Sequence, residues 1–244
     1  MPAKRSAISP LWVCRLSVVE YREALALQER VRAARQAGAI PDTLLLLEHP
    51  AVYTRGRRSE PNELAMGEAW CLERGIDVVD VDRGGRLTYH GPGQLVGYPI
   101  MRIDDVIAYL RTLERAIVAT LAGAGLDARA RPEDGPDYTG VWTGRRKIAS
   151  IGVHVSRGVT THGFAINVDN DLRPFAWIVP CGLDGVSMTS VREQAPGGGE
   201  APALPAIRAS VAAQVAEAFG RRPLAISSDR LEAALADLGV HQPG

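Results

Sequence analysis

Residues 147–168 read KIASIGVHVSRGVTTHGFAINV, two runs of alternating residues separated by Ser-Arg-Gly. Alternation with a period of two is typical of β-strands, because successive side chains point to opposite faces of a sheet. The short polar segment between the runs, with its glycine, is a turn signal. The stretch therefore predicts a β-hairpin, with strands Lys147–Val155 and Thr160–Val168 joined at Ser156–Gly158.

Further strands are expected on the N-terminal side of this hairpin. Short apolar runs bounded by turn residues occur at Thr43–Leu47, Ile76–Val81, Arg86–Tyr89 and Leu95–Met101. We expect Arg83–Gly85 to be a tight turn and Arg86–Tyr89 to be the return strand after Ile76–Val81. Residues Thr54–Arg58 are expected to form a loop.

Helices are predicted on both sides of these strands. In Ile103–Leu121 apolar residues recur every three or four positions, which is the period of an amphipathic helix. Tyr21–Ala37, Ile207–Phe219 and Arg230–Leu238 also favour helix. Strands in the middle and helices around them, without regular βαβ alternation, predict an α/β protein of the α+β type.

The size and charge of the chain indicate an ordinary globular protein. It has 244 residues, 46% of them hydrophobic, with 28 basic and 28 acidic side chains. We expect one domain over residues 1–244, with its core at about residues 11–220 and peripheral ends. Zero net charge argues against a protein that coats nucleic acid or an anionic membrane.

Cysteine usage and hydropathy predict a cytoplasmic location. Cys14, Cys71 and Cys181 are an odd, widely spaced set, which fits neither a disulfide framework nor a CxxC zinc site. No segment approaches the roughly 20 apolar residues of a membrane span. The N-terminus has no apolar run of the kind that a secretion signal contains.

Two residues are candidates for covalent chemistry. Cys181 lies between Pro180 and Gly182, in an irregular segment where a thiol can be accessible, although a small buried residue at a turn is the commoner fate of a lone cysteine. Lys147 opens an apolar strand in a chain with one other lysine, Lys4. A lysine can exchange a proton near neutral pH where an arginine cannot, but a solvated charge at a strand end is an equally good interpretation.

The segment Arg83–Gln94 is a candidate binding loop. Its glycines would let a ligand approach backbone N–H groups closely, whereas the alternative is two tight turns between strands. No Rossmann or P-loop pattern is present, and the histidines lack the spacing of a zinc site. His49, His90 and His162 remain candidates for hydrogen bonding in a pocket.

Taken in order along the chain, these motifs resemble those of the octanoyltransferases of lipoate biosynthesis, the lipoate–protein ligase B family. The matching segments are Leu47–Pro50 with Tyr53–Thr54, Arg83–Gln94, Lys147–Ala149 with Gly152, His162–Asn167, and Pro180–Gly182. The resemblance covers about Thr43 to Ser190. It implies a mixed β-sheet flanked by helices, similar to the catalytic domain of lipoate and biotin protein ligases.

The resemblance implies an activity and its protein partners. Octanoyl would move from its thioester on acyl carrier protein to the ε-amino group of a lysine. The acceptors would be lipoyl domains of 2-oxoacid dehydrogenase E2 subunits and the glycine-cleavage H protein. No metal, cofactor or ATP is implied, because a thioester is already activated, and we expect a monomer.

The resemblance also assigns site residues. Cys181 matches the family's acyl-accepting cysteine, and Lys147 matches the lysine that favours its thiolate. The acyl pocket would comprise Arg83, Gly84, Gly85, Arg86, Leu87, Thr88, Tyr89, His90, Ser150, Ile151, Gly152, Gly163, Phe164 and Ala165. We hypothesise that Lys147 acts as a base in the second step and that backbone N–H groups, either near Gly182 or from the glycine-rich strands, stabilise the oxyanion.

The same sequence features are compatible with three functions other than octanoyl transfer. One is an ATP-dependent lipoate ligase of the same fold, which would not need Cys181. The others are a catalytically silent acyl-binding module and a thioesterase. Arginines that could dock acidic protein substrates are Arg55, Arg57, Arg58, Arg145 and Arg146, although each could equally be a solvated turn residue.

Overall fold

A computed structural model describes residues 8–178, 186–195 and 201–236 of the chain. Its strands are β1 (Pro10–Val18), β2 (Asp42–Glu48), β3 (Val52–Arg55), β4 (Asp77–Asp80), β5 (Thr88–His90), β6 (Gln94–Ile100), β7 (Arg129–Ala130), β8 (Gly140–Thr143), β9 (Arg146–Ser156), β10 (Val159–Asn167) and β11 (Arg222–Ile226). Its α-helices are α1 (Tyr21–Gln36), α2 (Gly67–Leu72), α3 (Val106–Gly123), α4 (Leu204–Ala218) and α5 (Ser228–Ala236).

The main sheet has eight strands in the order β11-β1-β2-β6-β10-β9-β8-β7. Strand β1 is parallel to both of its neighbours, and the remaining pairs are antiparallel. The expected mixed sheet flanked by helices is therefore confirmed. The expected hairpin is confirmed as well, because β9 and β10 pair from Ser156 and Val159 onward.

Helices cover both faces of this sheet. Apolar residues of α3 and α4 pack with one face in the larger core, which contains Leu113, Ile117 and Val211. Residues of α1 and α5, among them Val31 and Leu235, pack with the other face. The central strands β6 and β10 are buried along their whole length, which explains their near-continuous apolar and small-residue composition.

The predicted helices are confirmed with small shifts at their ends. Helix α3 begins at Val106 instead of Ile103, because the Asp105 carboxylate caps it by accepting hydrogen bonds from the N–H groups of Ile107 (2.8 Å) and Ala108 (3.0 Å). The C-terminal helix is described as far as Ala236, so the end predicted at Leu238 lies outside the described residues.

The smaller sheet, in the order β4-β3-β5, corrects two predictions. Residues Thr54–Arg58 were expected to be a loop, yet Val52–Arg55 is the central strand β3. The expected pairing of β5 with β4 is also wrong, because both pair with β3 instead. The expected tight turn at Arg83–Gly85 is wrong as well. The Gly84 N–H donates to the Val153 carbonyl of β9 at 2.9 Å, so this segment crosses from the small sheet to the main sheet.

In the part of the chain that the structure describes, no helix combines the length and the apolarity that crossing a membrane requires.

Candidate functional site

A cavity of about 360 Å³ lies where the two sheets meet. Its walls come from β5, β6, β9 and β10, from the Arg83–Arg86 segment, and from the first turns of α1 and α3. Apolar side chains contribute much of the wall: Val96, Val106, Leu110, Ile151, Val153, Phe164 and Ala165. A volume at the small end of ligand pockets, with apolar walls, fits a short acyl chain.

Lys147 lines this cavity, and β9 carries a β-bulge directly after it. Trp142 of β8 pairs with Lys147, but Val141 pairs with Ala149, so Ile148 is an extra residue. Ile148 and Ala149 consequently both pack in the core that contains α3.

Lys147 is almost fully buried, with 2% of its surface exposed. Its ammonium nitrogen lies 5.3 Å from the centre of the Trp142 ring, within the range of a cation–π contact. Its backbone is bonded on both sides to the chain that follows residue 185: the Lys147 N–H donates to the Ser187 carbonyl (3.0 Å), and the Thr189 N–H donates to the Lys147 carbonyl (2.9 Å). A buried ammonium is costly, so its retention here needs a chemical or structural reason.

Glycines let the walls approach one another. Gly152 and Gly163 pair across β9 and β10. A Cβ at Gly152 would lie 2.9 Å from the Gly84 carbonyl oxygen and 3.2 Å from Arg83 Cδ, so only glycine leaves room for that segment. A Cβ at Gly163 would lie 2.2 Å from the carbonyl oxygen of Gly97. The motif glycines therefore shape the cavity through close contacts between strands and loop.

Arg83 fixes the loop that lies over β9. The residue is 7% exposed, and one nitrogen of its guanidinium donates to both the backbone carbonyl (2.7 Å) and the hydroxyl (2.8 Å) of Thr54. The segment is thus held on β3 by the Arg83 side chain and on β9 by the backbone of Gly84, whose N–H donates to the Val153 carbonyl. Separately, Arg58 and Asp137 form an ion pair at 2.9 Å at the rim of the cavity.

A hydrogen-bonded group of aromatic and imidazole side chains forms one wall. The His49 Nδ1–H donates to the Val19 carbonyl (2.7 Å), which leaves Nε2 to accept from the Tyr98 hydroxyl (2.7 Å). Burial lowers the pKa of His49 to about 4 and raises the pKa of Tyr98 well above its usual value. The ring of Tyr21 contacts that of His49 at a tilt, with the ring centres 4.9 Å apart, and burial raises the pKa of Tyr21 to about 12. These groups are neutral at physiological pH.

His162 and His90 differ in charge environment. The ring of His162 donates from Nε2 to the Asp82 carboxylate (2.7 Å), and this bond lowers the pKa of Asp82. His162 also has a left-handed backbone with φ of 57°, an uncommon state for a residue other than glycine. His90 is hydrogen-bonded to the Gln94 side chain (2.7 Å), and burial lowers its pKa to about 3.

The residues predicted for the acyl pocket fall into two groups. All of them line the cavity except Leu87 and Tyr89. These two pack instead with Tyr53 and Phe175 in a separate apolar cluster under the small sheet. The alternation of a strand explains the split, because Thr88 and His90 of the same segment face the cavity.

Sequence reasoning missed part of the cavity wall. Val96 and Tyr98 occupy alternate positions of a strand that the sequence did predict, so its period of two could have paired them on one face. Tyr21, Val106 and Leu110 come from helices distant in sequence, and only the fold brings them to the cavity.

Cys181 lies outside the described residues. The residues on either side of the gap can be described: Ile178 packs in the apolar cluster of the small sheet, and Ser187 and Thr189 bond to Lys147. The two other cysteines, Cys14 and Cys71, are buried free thiols, as the commoner interpretation of a lone cysteine expects.

Three of the five arginines considered for docking, Arg55, Arg58 and Arg146, form ion pairs with acidic residues. Arg55 is paired with Asp80 (2.6 Å) and with Glu68, and Arg146 lies 3.4 Å from Glu193. These contacts partly neutralise the positive charge around the cavity. A docking role of the arginines stays a prediction.

Comparison with known proteins assigns the chain to a family. A model of the lipoyl protein ligase A/B catalytic domain matches residues 20–218. The chain is 51% identical over 172 residues to an octanoyltransferase of Solibacter usitatus, covering 69% of this chain and 76% of that protein. It is 47% identical over 221 residues to an octanoyltransferase of Mycobacterium tuberculosis, covering 88% and 90%.

A solved structure shares the fold. The chain superposes with a TM-score of 0.71 and 17% identity on a chain from the structure of a bipartite lipoate protein ligase and its E2 lipoyl domain from Thermoplasma acidophilum, covering 94% of this chain and 92% of that one. Sequence identity of about half over 76% and 90% of these two curated relatives, together with the family model, establishes that the chain is an acyltransferase that belongs to the octanoyltransferases of the lipoyl protein ligase A/B family.

Proposed function

We propose that this enzyme transfers octanoyl from octanoyl-acyl carrier protein to the ε-amino group of a lysine on a lipoyl domain, through a thioester on Cys181 with Lys147 as acid and base. The observation that carries the proposal is the position of Lys147. The Lys147 side chain is buried and lines an apolar cavity of acyl-chain size, and the Lys147 backbone is hydrogen-bonded to the segment that follows Cys181.

In the first step, the Cys181 thiolate attacks the carbonyl carbon of the carrier thioester. The new carbon–sulfur bond forms as the bond to the carrier thiol breaks, and the Lys147 ammonium gives its proton to the departing carrier thiolate. An ammonium beside a thiol stabilises the thiolate, which is the reactive form of a cysteine. One thioester replaces another, so this step needs no external energy source.

In the second step, the acceptor amine, which is mostly protonated in solution, loses one proton to water before it attacks, and neutral Lys147 accepts the second proton, which the nitrogen loses as the amide bond forms. The amine then attacks the acyl carbonyl carbon, the amide bond forms, and Cys181 leaves as a thiolate. Lys147 is again an ammonium and Cys181 again a thiolate, so the two residues return to their starting states.

The protein partners follow from the family. Octanoyltransferase is the name of the curated relatives, and a lipoyl domain is named with the ligase of similar fold. We therefore include as acceptors the lipoyl domains of 2-oxoacid dehydrogenase E2 subunits and the glycine-cleavage H protein. Free buried thiols at Cys14 and Cys71 support a reducing compartment such as the cytoplasm.

A transfer assay tests the proposal against its rivals. Purified enzyme is mixed with octanoyl-acyl carrier protein and an apo lipoyl domain without ATP, and the acceptor is followed by mass spectrometry. Octanoylation of the acceptor is expected. A ligase would instead require free octanoate and ATP, a thioesterase would release octanoate without an acceptor, and a silent binding module would leave both proteins unchanged.

A further inference from the structure

A buried carboxylate on α3 lies behind the cavity, on a residue that neither the motifs nor the cavity lining includes. Glu114 is 1% exposed. One of its oxygens accepts a hydrogen bond from the Gly140 N–H at 3.0 Å, and the other accepts from the Arg111 guanidinium at 2.6 Å. Hydrogen bonds to an ionised group are the stronger ones, so this residue fixes the point at which β8 begins.

Gly140, the residue that Glu114 holds, lies directly against the Lys147 side chain. A Cβ on Gly140 would lie 2.7 Å from Lys147 Cε, 3.4 Å from Nζ and 2.5 Å from the Ala149 carbonyl oxygen. The residue also has a φ of +136°, which side chains other than glycine rarely adopt. The Gly140 backbone is therefore a wall of the space that the ammonium occupies.

A second contact of Lys147 belongs to the same strand. Trp142, two residues after Gly140 in β8, places its ring 5.3 Å from the ammonium nitrogen. The ring is held in turn by its indole N–H, which donates to the Tyr138 carbonyl at 3.0 Å. Displacement of β8 would therefore move the Gly140 wall and the Trp142 ring together.

We propose that Glu114 is a positioning residue for Lys147. Its hydrogen bond to Gly140 fixes strand β8, and the Gly140 backbone and Trp142 ring of β8 contact the Lys147 side chain that lines the cavity. The proposal rests on the role of Lys147 as acid and base. Because a small misplacement of a reacting group costs a large factor in rate, loss of this anchor slows both half-reactions without changing the walls that bind the acyl chain.

Two substitutions separate the parts of this anchor. Glu114→Gln keeps an oxygen that can accept from Gly140 but loses the charge that pairs with Arg111. Glu114→Ala removes both bonds. We expect the rate at saturating donor to fall about tenfold in Glu114→Gln and about a hundredfold in Glu114→Ala, with KM for the octanoyl donor within about twofold. In both variants we expect the rise of the acylation rate with pH to shift to higher pH, because a displaced Lys147 ammonium stabilises the Cys181 thiolate less.

Asp42→Asn is the matched control. Asp42 is 3% exposed and, like Glu114, accepts from a backbone N–H (Arg102, 3.0 Å), but it pairs with two arginine side chains (Arg35, 2.7 Å, and Arg221, 2.9 Å) where Glu114 pairs with one. It begins β2, which lies three strands from β9 in the sheet. Its substitution is expected to lower the melting temperature while leaving the pH profile and the rate at saturating donor unchanged.

Wild type, both Glu114 variants and the control are compared by melting temperature, steady-state kinetics over pH, and single-turnover acylation. The proposal is overturned if the folded Glu114 variants keep the wild-type rate and pH profile, or if Asp42→Asn shows the same kinetic change. If Glu114→Ala does not fold, Glu114→Gln decides the question. Failure of the proposed reaction is distinguishable, because the wild type itself would then form no acyl-enzyme.

Discussion

At the scale of single residues, the proposed chemistry depends on one lysine, Lys147, that the fold buries away from water. Lys147 is 2% exposed and lines the cavity. Arginine cannot take over the proposed role, because its guanidinium does not release a proton in proteins. The charge and the proton transfer of Lys147 can therefore be tested separately.

Lys147→Met is expected to slow both half-reactions by a factor on the order of a hundred or more, as loss of a general acid–base group does. Lys147→Arg keeps the charge, so it is expected to retain more of the acylation step than of the transfer step. Single-turnover mass spectrometry of each step measures the two rates. Wild-type rates in folded Lys147→Met would contradict the assigned role.

His49 carries a prediction on pH and stability. Burial lowers its pKa from 6.5 to about 4, so the unfolded chain binds a proton between these values and the folded chain does not. The stabilisation is complete above pH 6.5 and is lost as the pH falls toward 4, a change of about 3 kcal/mol in the free energy of unfolding. The lowered pKa of His90 acts in the same direction.

Urea unfolding between pH 7.5 and about 4 measures this dependence. In His49→Gln the fall in the free energy of unfolding across that range is expected to be smaller than in the wild type. An equal fall in the two proteins would show that His49 does not contribute to it.

The sequence pointed to Lys147 and Cys181 as candidate site residues because each is an uncommon residue type in its local sequence. Lys147 was noticeable because the chain has one other lysine, and Cys181 because proline and glycine flank it. Tyr21 and Tyr98 carry no such signal, since buried tyrosines are common in any core. Their hydrogen-bonded partners lie tens of residues away, and local patterns do not report contacts across a fold.

At the scale of elements, the strands with regular alternation were predictable and the partners of short strands were not. The β9–β10 hairpin and helix α3 follow from their periods of two and 3.6. Strand β3 is four residues long and pairs with two segments that follow it at different distances along the chain. The turn signal at Arg83–Gly85 favoured a local pairing, whereas bonds to β9 stabilise a crossing.

Gly152→Ala tests whether close packing of the loop on β9 shapes the cavity. The new methyl group would lie 2.9 Å from the Gly84 carbonyl oxygen, which must shift. Overpacking of this kind typically costs about 1–3 kcal/mol of folding free energy. The shifted Gly84 segment lines the cavity, so we expect about 1.4 kcal/mol of this cost in donor binding, which is a rise of about tenfold in KM for the octanoyl donor. Gly123→Ala is the control: nothing lies within 4 Å of its new methyl group, and kinetics should not change. Equal KM values in the two variants would contradict this.

At the scale of the whole molecule, two sheets hold the parts of the site. The main sheet supplies Lys147 and the glycine pair, and the small sheet holds the Arg83 segment through Thr54. The class of fold followed from the order of strands and helices and from the family resemblance. The strand order did not, because the main sheet joins segments from both ends of the chain, with β11 beside β1. One domain stays a prediction.

The proposed octanoyl thioester on Cys181 is the central claim, because its formation requires the thiol, the Lys147 ammonium and the cavity together. Intact-protein mass spectrometry after mixing enzyme with octanoyl-acyl carrier protein, without ATP, detects it in the wild type and in Cys181→Ala. We expect an octanoyl adduct in the wild type, none in Cys181→Ala, and loss of the adduct when an apo lipoyl domain is added and becomes octanoylated. Transfer to the lipoyl domain at the wild-type rate in Cys181→Ala would contradict the thioester mechanism.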